Sequence, residues 1–210
     1  MKITVIGAGN MGAAFVKQLT RAGHQVSVTA RDAAKAAQVA AANPGAQAVA
    51  AAGAAEGADA VVLATGYGDA VAALRSVGDV TGKVVVDITN PLTADYMGLT
   101  IGHGTSAAEE IAKAVPGAEV VKAFNTVFAQ VLGEGADFGN GRQVEVFVAS
   151  DSERAKRAAR TIAESIGFAV VDAGPLKNAR YLEPVAGLNI YLGYGAGLGT
   201  GIAPVWIRKA

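Results

Sequence analysis

Along this chain, short apolar runs alternate with stretches of helical period. Ile3, Val5 and Ile6 form a nearly continuous run that predicts a strand buried on both faces. Residues 13–19 read as a helix, and 25–29 as a second strand after the turn Arg21-Ala-Gly-His24. An alanine-rich helix is predicted over 33–42, capped by Asp32 and closed by Asn43-Pro44-Gly45. A weak strand over 47–50 and a short helical turn over 54–57 follow. Residues 59–65 make a clearer buried strand, 69–77 a helix and 83–89 a fifth strand. A polar connection over 93–104 leads to a helix over 107–115, which Ser106 caps with Glu109 three residues on. Residues 119–124 form a sixth strand. Six strands alternating with helices predict an α/β fold of Rossmann type, a doubly wound, mostly parallel sheet.

The remainder departs from that alternation. Residues 143–149 and 168–172 predict two further strands that extend the same sheet, around a helix capped by Asp151 or Ser152 and ending at Ser165. Gly139-Asn140-Gly141 is expected as an exposed turn. The tail is helical in pattern over 176–192 and glycine-dense over 193–201, and Val205-Trp206-Ile207 closes it. No linker, repeat or charge block sets it apart. The expected organisation is a main domain over 1–174, sheet extension included, with a small helical, glycine-rich C-terminal cap over 175–210.

The chemistry-bearing stretch is Gly7-Ala8-Gly9-Asn10-Met11-Gly12, placed between the first strand and the first helix. Gly7 permits a tight turn, Gly9 lets a pyrophosphate approach the backbone, and Gly12 lets helix and strand pack closely. The helix N-terminus offers free N–H donors to the phosphates. In NAD-selective sites an acidic residue at the second strand's end binds the ribose diol. Here Arg31 stands at that point and Asp32 one step later, with Lys35 a helical turn on. Two cations suit a 2′-phosphate, so NADP(H) is expected. Thr65-Gly66-Tyr67 and Asn90 lie at the carboxyl ends of the fourth and fifth strands, the edge where open parallel sheets bind ligands.

Composition narrows the field. The formal net charge is zero and no basic stripe is visible, which points away from nucleic acid and anionic membranes. Cysteine is absent, and His24 and His103 match no zinc spacing, so no metal site is expected. No segment reads as a membrane span, and a cleaved signal peptide would destroy the opening strand; the expected location is cytoplasmic. None of the five tyrosines has Lys four residues on, so the proton-donor pair of a carbonyl reductase is missing. Lys122 and Asn125, read along one strand at odd spacing, would point to opposite faces, leaving Lys122 structural or a surface charge.

Taken together, these pieces resemble the NADPH:8-hydroxy-5-deazaflavin (coenzyme F-420) oxidoreductases and the related reductase domain of six-transmembrane metalloreductases. The matching stretches are Gly7-Ala-Gly-Asn-Met-Gly12, Thr29-Ala-Arg31, Asn90-Pro91-Leu92, Ser106-Ala-Ala-Glu109, Val121-Lys-Ala-Phe-Asn-Thr126, Asp172-Ala-Gly-Pro-Leu176 and Ala179-Arg180. The resemblance implies a hydride-transferring oxidoreductase in which NADP(H) meets a deazaflavin or flavin ring between the Rossmann domain and its cap. Carried over by position, Ala8, Asn10 and Met11 would line the pyrophosphate, and Arg31 and Lys35 would hold the 2′-phosphate. Thr65, Gly66 and Tyr67 would border the adenosine-side ribose and phosphates, while Asn125 and Thr126 would position the nicotinamide. No side chain is expected to act as a proton donor, because the two rings carry the reaction. Asn125 and Phe128 depart from the His and Pro of the deazaflavin enzymes. A homodimer through the C-terminal region is expected. Two other readings compete: an NADPH-dependent reductase of a small imine or ketone, and a non-catalytic dinucleotide-binding redox sensor.

Overall fold

In the computed structural model, which describes residues 1–139, 141–207 and 209, six parallel strands form one sheet in the order β3-β2-β1-β4-β5-β6. These are β1 (Lys2–Ile6), β2 (Gln25–Thr29), β3 (Ala46–Ala48), β4 (Ala60–Leu63), β5 (Val84–Asp87) and β6 (Glu119–Lys122). Strand residues alternate between two apolar layers. Ile3, Val5, Val62 and Val86 pack on one face with Phe15, Leu19 and Ile162, whereas Ile6, Val61, Leu63 and Val85 pack on the other with Leu74 and Ile111. Each such side chain contributes roughly 1.5–3 kcal/mol of transfer free energy when fully buried.

The helices are α1 (Asn10–Arg21), α2 (Ala33–Ala41), α3 (Tyr67–Ser76), α4 (Ala107–Ala114), α5 (Ala129–Glu134), α6 (Glu153–Ser165) and α7 (Ala179–Ile190). Asp32, Ser106 and Ser152 cap α2, α4 and α6 through their side chains. Residues 54–57 form successive hydrogen-bonded turns rather than a helical turn, with Ala54 N–H donating to Ala51 O and Glu56 N–H to Gly53 O. A 3-10 turn, Leu176–Asn178, leads into α7, and a π-helical turn, Tyr191–Gly195, leaves it.

Two expectations are corrected. The strands β7 (Glu145–Val148) and β8 (Ala169–Asp172) pair with each other in a separate parallel sheet. Among the described residues a single antiparallel backbone bridge, Lys122 to Ala149, joins them to β6, at the last residue of that strand. Strand β6 also stops at Lys122, two residues before the expected end. Phe124 there takes φ 59, a left-handed conformation, and its ring lies edge-on between Phe15 (5.0 Å) and Phe168 (6.0 Å). Packing holds this bulky residue where the backbone alone would not go. Asn125 therefore lies off the strand, and the opposite-face argument for Lys122 and Asn125 does not apply. Of the expected turn at 139–141, Asn140 lies outside the described residues.

Candidate functional site

The glycine turn shows three different spatial requirements. A Cβ on Gly7, whose φ is 117, would lie 2.2 Å from Ala64 O, and one on Gly12 would lie 1.9 Å from Gly7 O. Those two positions are closed by backbone. Around Gly9 a Cβ would meet nothing within 4 Å. No side chain caps α1 and no acidic residue occupies its first turn, so its leading N–H groups face a space that suits an anion.

That space is part of a cleft of about 850 Å³ at the carboxyl edge of β1, β2 and β4. Gly7, Ala8, Gly9, Asn10, Arg31, Lys35, Thr65 and Gly66 all lie on its wall, so most of the sequence-derived cofactor set converges there. Met11 and Gly12 lie just behind it. The Met11 side chain packs against the core, and Gly12 is buried. Asp32 also borders the cleft, but its carboxylate accepts from Ala34 N–H (3.0 Å) and Lys35 N–H (3.2 Å) as the α2 cap. Arg31 is exposed and lies 3.7 Å from Asp69, on the first turn of α3.

Asn90, Asn125 and Thr126 form a second group at the ends of β5 and β6, held against α7. Asn90 Nδ2 donates to Asn125 O (2.9 Å), and Asn125 Nδ2 donates to Asn90 Oδ1 and Leu182 O (3.0 Å each). Asn189 Nδ2 donates to Thr126 O (3.1 Å). Asn125 Oδ1 is left buried without a partner, as are Thr65 Oγ1 and Thr89 Oγ1. Buried polar atoms are nearly always paired, so these orphans at three neighbouring strand ends fit a polar ligand. Tyr67 sits apart from the wall of the large cleft. Its hydroxyl pKa is raised, first by burial and then by Glu110, Glu183 and Asp87, with Lys122 opposing.

Lys122 is fully buried, not a surface charge. Its Nζ lies 2.7 Å from Asp87 Oδ2 and 2.9 Å from Glu183 Oε1, and it donates to Thr89 O at 2.6 Å. Sequence reasoning missed Asp87 and Glu183. A carboxylate inside the apolar run 84–88 was the available signal, since a buried Asp needs a partner.

Two of the motif stretches meet across the fold. Arg180 donates to both oxygens of Glu109 (2.8 and 2.7 Å), tying α7 to α4, and Ser106 Oγ donates to the same carboxylate (2.7 Å). Arg180, opposed by some desolvation and aided by Ser106, lowers the Glu109 pKa from its ordinary 4.5. A depressed folded pKa stabilises the fold above the unfolded value and loses that contribution as pH falls through the folded one. The stability difference between wild type and Glu109→Gln, read from urea midpoints, should therefore be present at neutrality and vanish in acid. A difference independent of pH would remove the ion pair as its cause.

The other sequence candidates fall elsewhere. His103 is an exposed loop residue at φ 56, on a separate surface cleft with Lys177 and Arg180. Trp206 is mostly exposed, with its edge against Phe147. Tyr194 meets Phe128 edge-on at 5.8 Å, and the two border a smaller cleft of about 360 Å³ with Asn10, Gln130 and Thr200. A Cβ on Gly193 would lie 2.7 Å from the Phe128 ring, so glycine in the tail permits close packing there.

A cleft at the carboxyl edge of a Rossmann sheet, floored by an open glycine turn and walled by two cations, defines a dinucleotide-binding protein. A profile of the family described as NADP oxidoreductase, coenzyme F420-dependent, matches residues 2–91. The chain is 32% identical over 209 residues to the F420-dependent NADP reductase of Methanothermobacter marburgensis, covering 91% of this chain and 92% of that protein. It belongs to this family of NADP oxidoreductases. It is also 28% identical over 185 residues to Metalloreductase STEAP3 of Rattus norvegicus. That match covers 88% of this chain but 36% of the relative, so the chain spans little more than a third of that protein. A solved structure from Arthrobacter sp. FB24, provisionally assigned as an F420-dependent NADP-reductase, superimposes with a TM-score of 0.85 at 31% identity and covers 96% of both chains.

Proposed function

We propose that this oxidoreductase transfers a hydride between NADP(H) and a deazaflavin or flavin-like ring. The observation that carries this reading is the large cleft itself, where the open space at Gly9 lies on the same wall as Arg31 and Lys35. The α1 N-terminus would receive the diphosphate, and the two cations the 2′-phosphate. Thr65 and Gly66 would border the adenosine-side ribose and phosphates. Asn90, Asn125 and Thr126 would hold the nicotinamide, with Asn125 Oδ1 as an acceptor for its carboxamide N–H. The nicotinamide, when bound, supplies the hydride. Residues of the chain then need only hold two flat rings in contact and exclude water. The acceptor ring would lie against Phe128 and Tyr194, whose cleft shares Asn10 with the dinucleotide cleft.

The same reading divides the chain into a main domain over 1–174 and a cap over 175–210. It also joins two chains through the C-terminal region, where Tyr181, Leu188, Tyr191 and Leu198 are exposed. The proposed location is cytoplasmic; among the described residues no helix is long and apolar enough to cross a membrane.

The test is turnover of C4-deuterated NADPH with a deazaflavin, FMN, FAD and simple imines or ketones. Deuterium should arrive on C5 of the deazaflavin, with a primary isotope effect in single turnover; a flavin takes the hydride on N5, where the label exchanges with solvent, so there the isotope effect alone reports the transfer. Tyr67→Phe and His103→Ala should both escape the loss of about 10²–10⁴ that removal of a general acid brings. Solvent deuterium on that carbon, or preferred turnover of an imine, would overturn the reading.

A further inference from the structure

We infer that the buried triad Asp87–Lys122–Glu183 is a positioning device, fixing the cap helix α7 and two strand ends so that Asn125 holds the nicotinamide still. This rests on the placement of the nicotinamide proposed above. All three side chains are at most 1% exposed. Asp87 and Lys122 are directly paired in the β5–β6 register, so their side chains are neighbours by construction. Glu183 comes from α7, far along the chain.

The charges of the triad sum to minus one, and the surroundings answer that excess. Glu183 Oε2 accepts from Ala107 N–H (2.9 Å) and Oε1 from Ala108 N–H (3.2 Å), the first two donors of α4. The positive end of the α4 dipole thus faces a carboxylate. Asp87 Oδ1 accepts from Thr89 N–H (2.8 Å), while Oδ2 makes an ionic contact with Lys122 without an aligned hydrogen bond. The Lys122 ammonium has oxygen on three sides and no approach for substrate, which argues against a role as proton donor. Buried ion clusters contribute little net stability over apolar side chains of the same volume, but their geometry is exacting. What this cluster fixes is relative placement.

Asn125 is what that placement serves. Leu182, whose carbonyl accepts from Asn125, is next to Glu183; Asn90, which exchanges hydrogen bonds with Asn125, is next to Thr89. A neighbour of a triad member, Leu182, and a neighbour of a triad contact, Asn90, therefore supply the partners that leave Asn125 Oδ1 as the spare acceptor.

Glu183→Gln tests this, because it leaves a neutral Asp87–Lys122 pair and keeps one oxygen, for one of the two α4 donors. The NADPH Kd should stay within about threefold, since the diphosphate and 2′-phosphate contacts are elsewhere. Single-turnover hydride transfer should fall about tenfold or more through misplacement. Time-resolved anisotropy of the bound reduced nicotinamide, which needs no acceptor, should gain a fast local component. Asp87→Asn, which leaves a neutral Lys122–Glu183 pair, should behave alike and decides the matter if Glu183→Gln does not fold. Wild-type anisotropy in a folded variant overturns the proposal, as does a Kd rising in step with the rate loss. Asn125→Ala separates the underlying reading: if it leaves the anisotropy unchanged, the nicotinamide does not lie there.

Discussion

Gly9→Val should give a folded protein that has lost NADPH. The backbone at Gly9, φ −79 and ψ −170, is an extended conformation open to any residue, and a Cβ there touches nothing. The fold should therefore accept valine. The new side chain would instead fill the space through which the diphosphate reaches the helix N-terminus. The Kd should rise about 100-fold or more, equivalent to about 2.8 kcal/mol. Gly7→Ala and Gly12→Ala are the contrast, because there the Cβ would overlap backbone atoms and the loss should appear first in folding. Circular dichroism beside NADPH titration separates the two kinds of damage. Undiminished affinity in folded Gly9→Val would remove the glycine turn from the site.

Arg31→Ala should raise the Kd for NADPH by about tenfold or more, since a charge-assisted contact is worth about 1.5–3 kcal/mol. NADH binding should barely change. In this structure the guanidinium lies near Asp69, but both groups are exposed and such pairs are weak, so the carboxylate is a poor competitor for it. Lys35 on the same wall limits the loss. Titrating both dinucleotides into both proteins is the test: equal losses would show that Arg31 does not read the 2′-phosphate.

Where local pattern decides the structure, the sequence was a sufficient guide. Strand β2 has the bounds that Val26 and Val28 imply, Asp32 and Ser106 cap as their positions suggest, and of Asp151 and Ser152 it is Ser152 that caps α6. The glycine turn with Arg31 and Lys35 was legible because each depends on neighbours within one βαβ unit. The group of Asn90, Asn125 and Thr126 was legible only as a family motif. Phe124 is neither Gly nor Asn, so its own identity does not mark a left-handed residue, and the cause is packing by Phe15 and Phe168. Burial of Lys122 likewise depends on Glu183 from a remote helix, a contact that no spacing encodes. The separate β7–β8 pair escaped notice because period-two patterning identifies strands without saying which edge they join.

The capping role of Asp32 bears on how this lineage could change its electron pool. That carboxylate is committed to Ala34 and Lys35, and withdrawing it to hold a ribose diol would uncap α2, a cost of about 1 kcal/mol. Arg31 has no such duty, being solvent-facing and outside the apolar core. An Arg31→Glu change would put a carboxylate within the cleft while leaving α2 and the sheet beneath it alone. Under the proposed reading, Arg31 is thus a surface position at which the balance between a biosynthetic and a catabolic currency can shift at little risk to the scaffold, with Lys35 beside it.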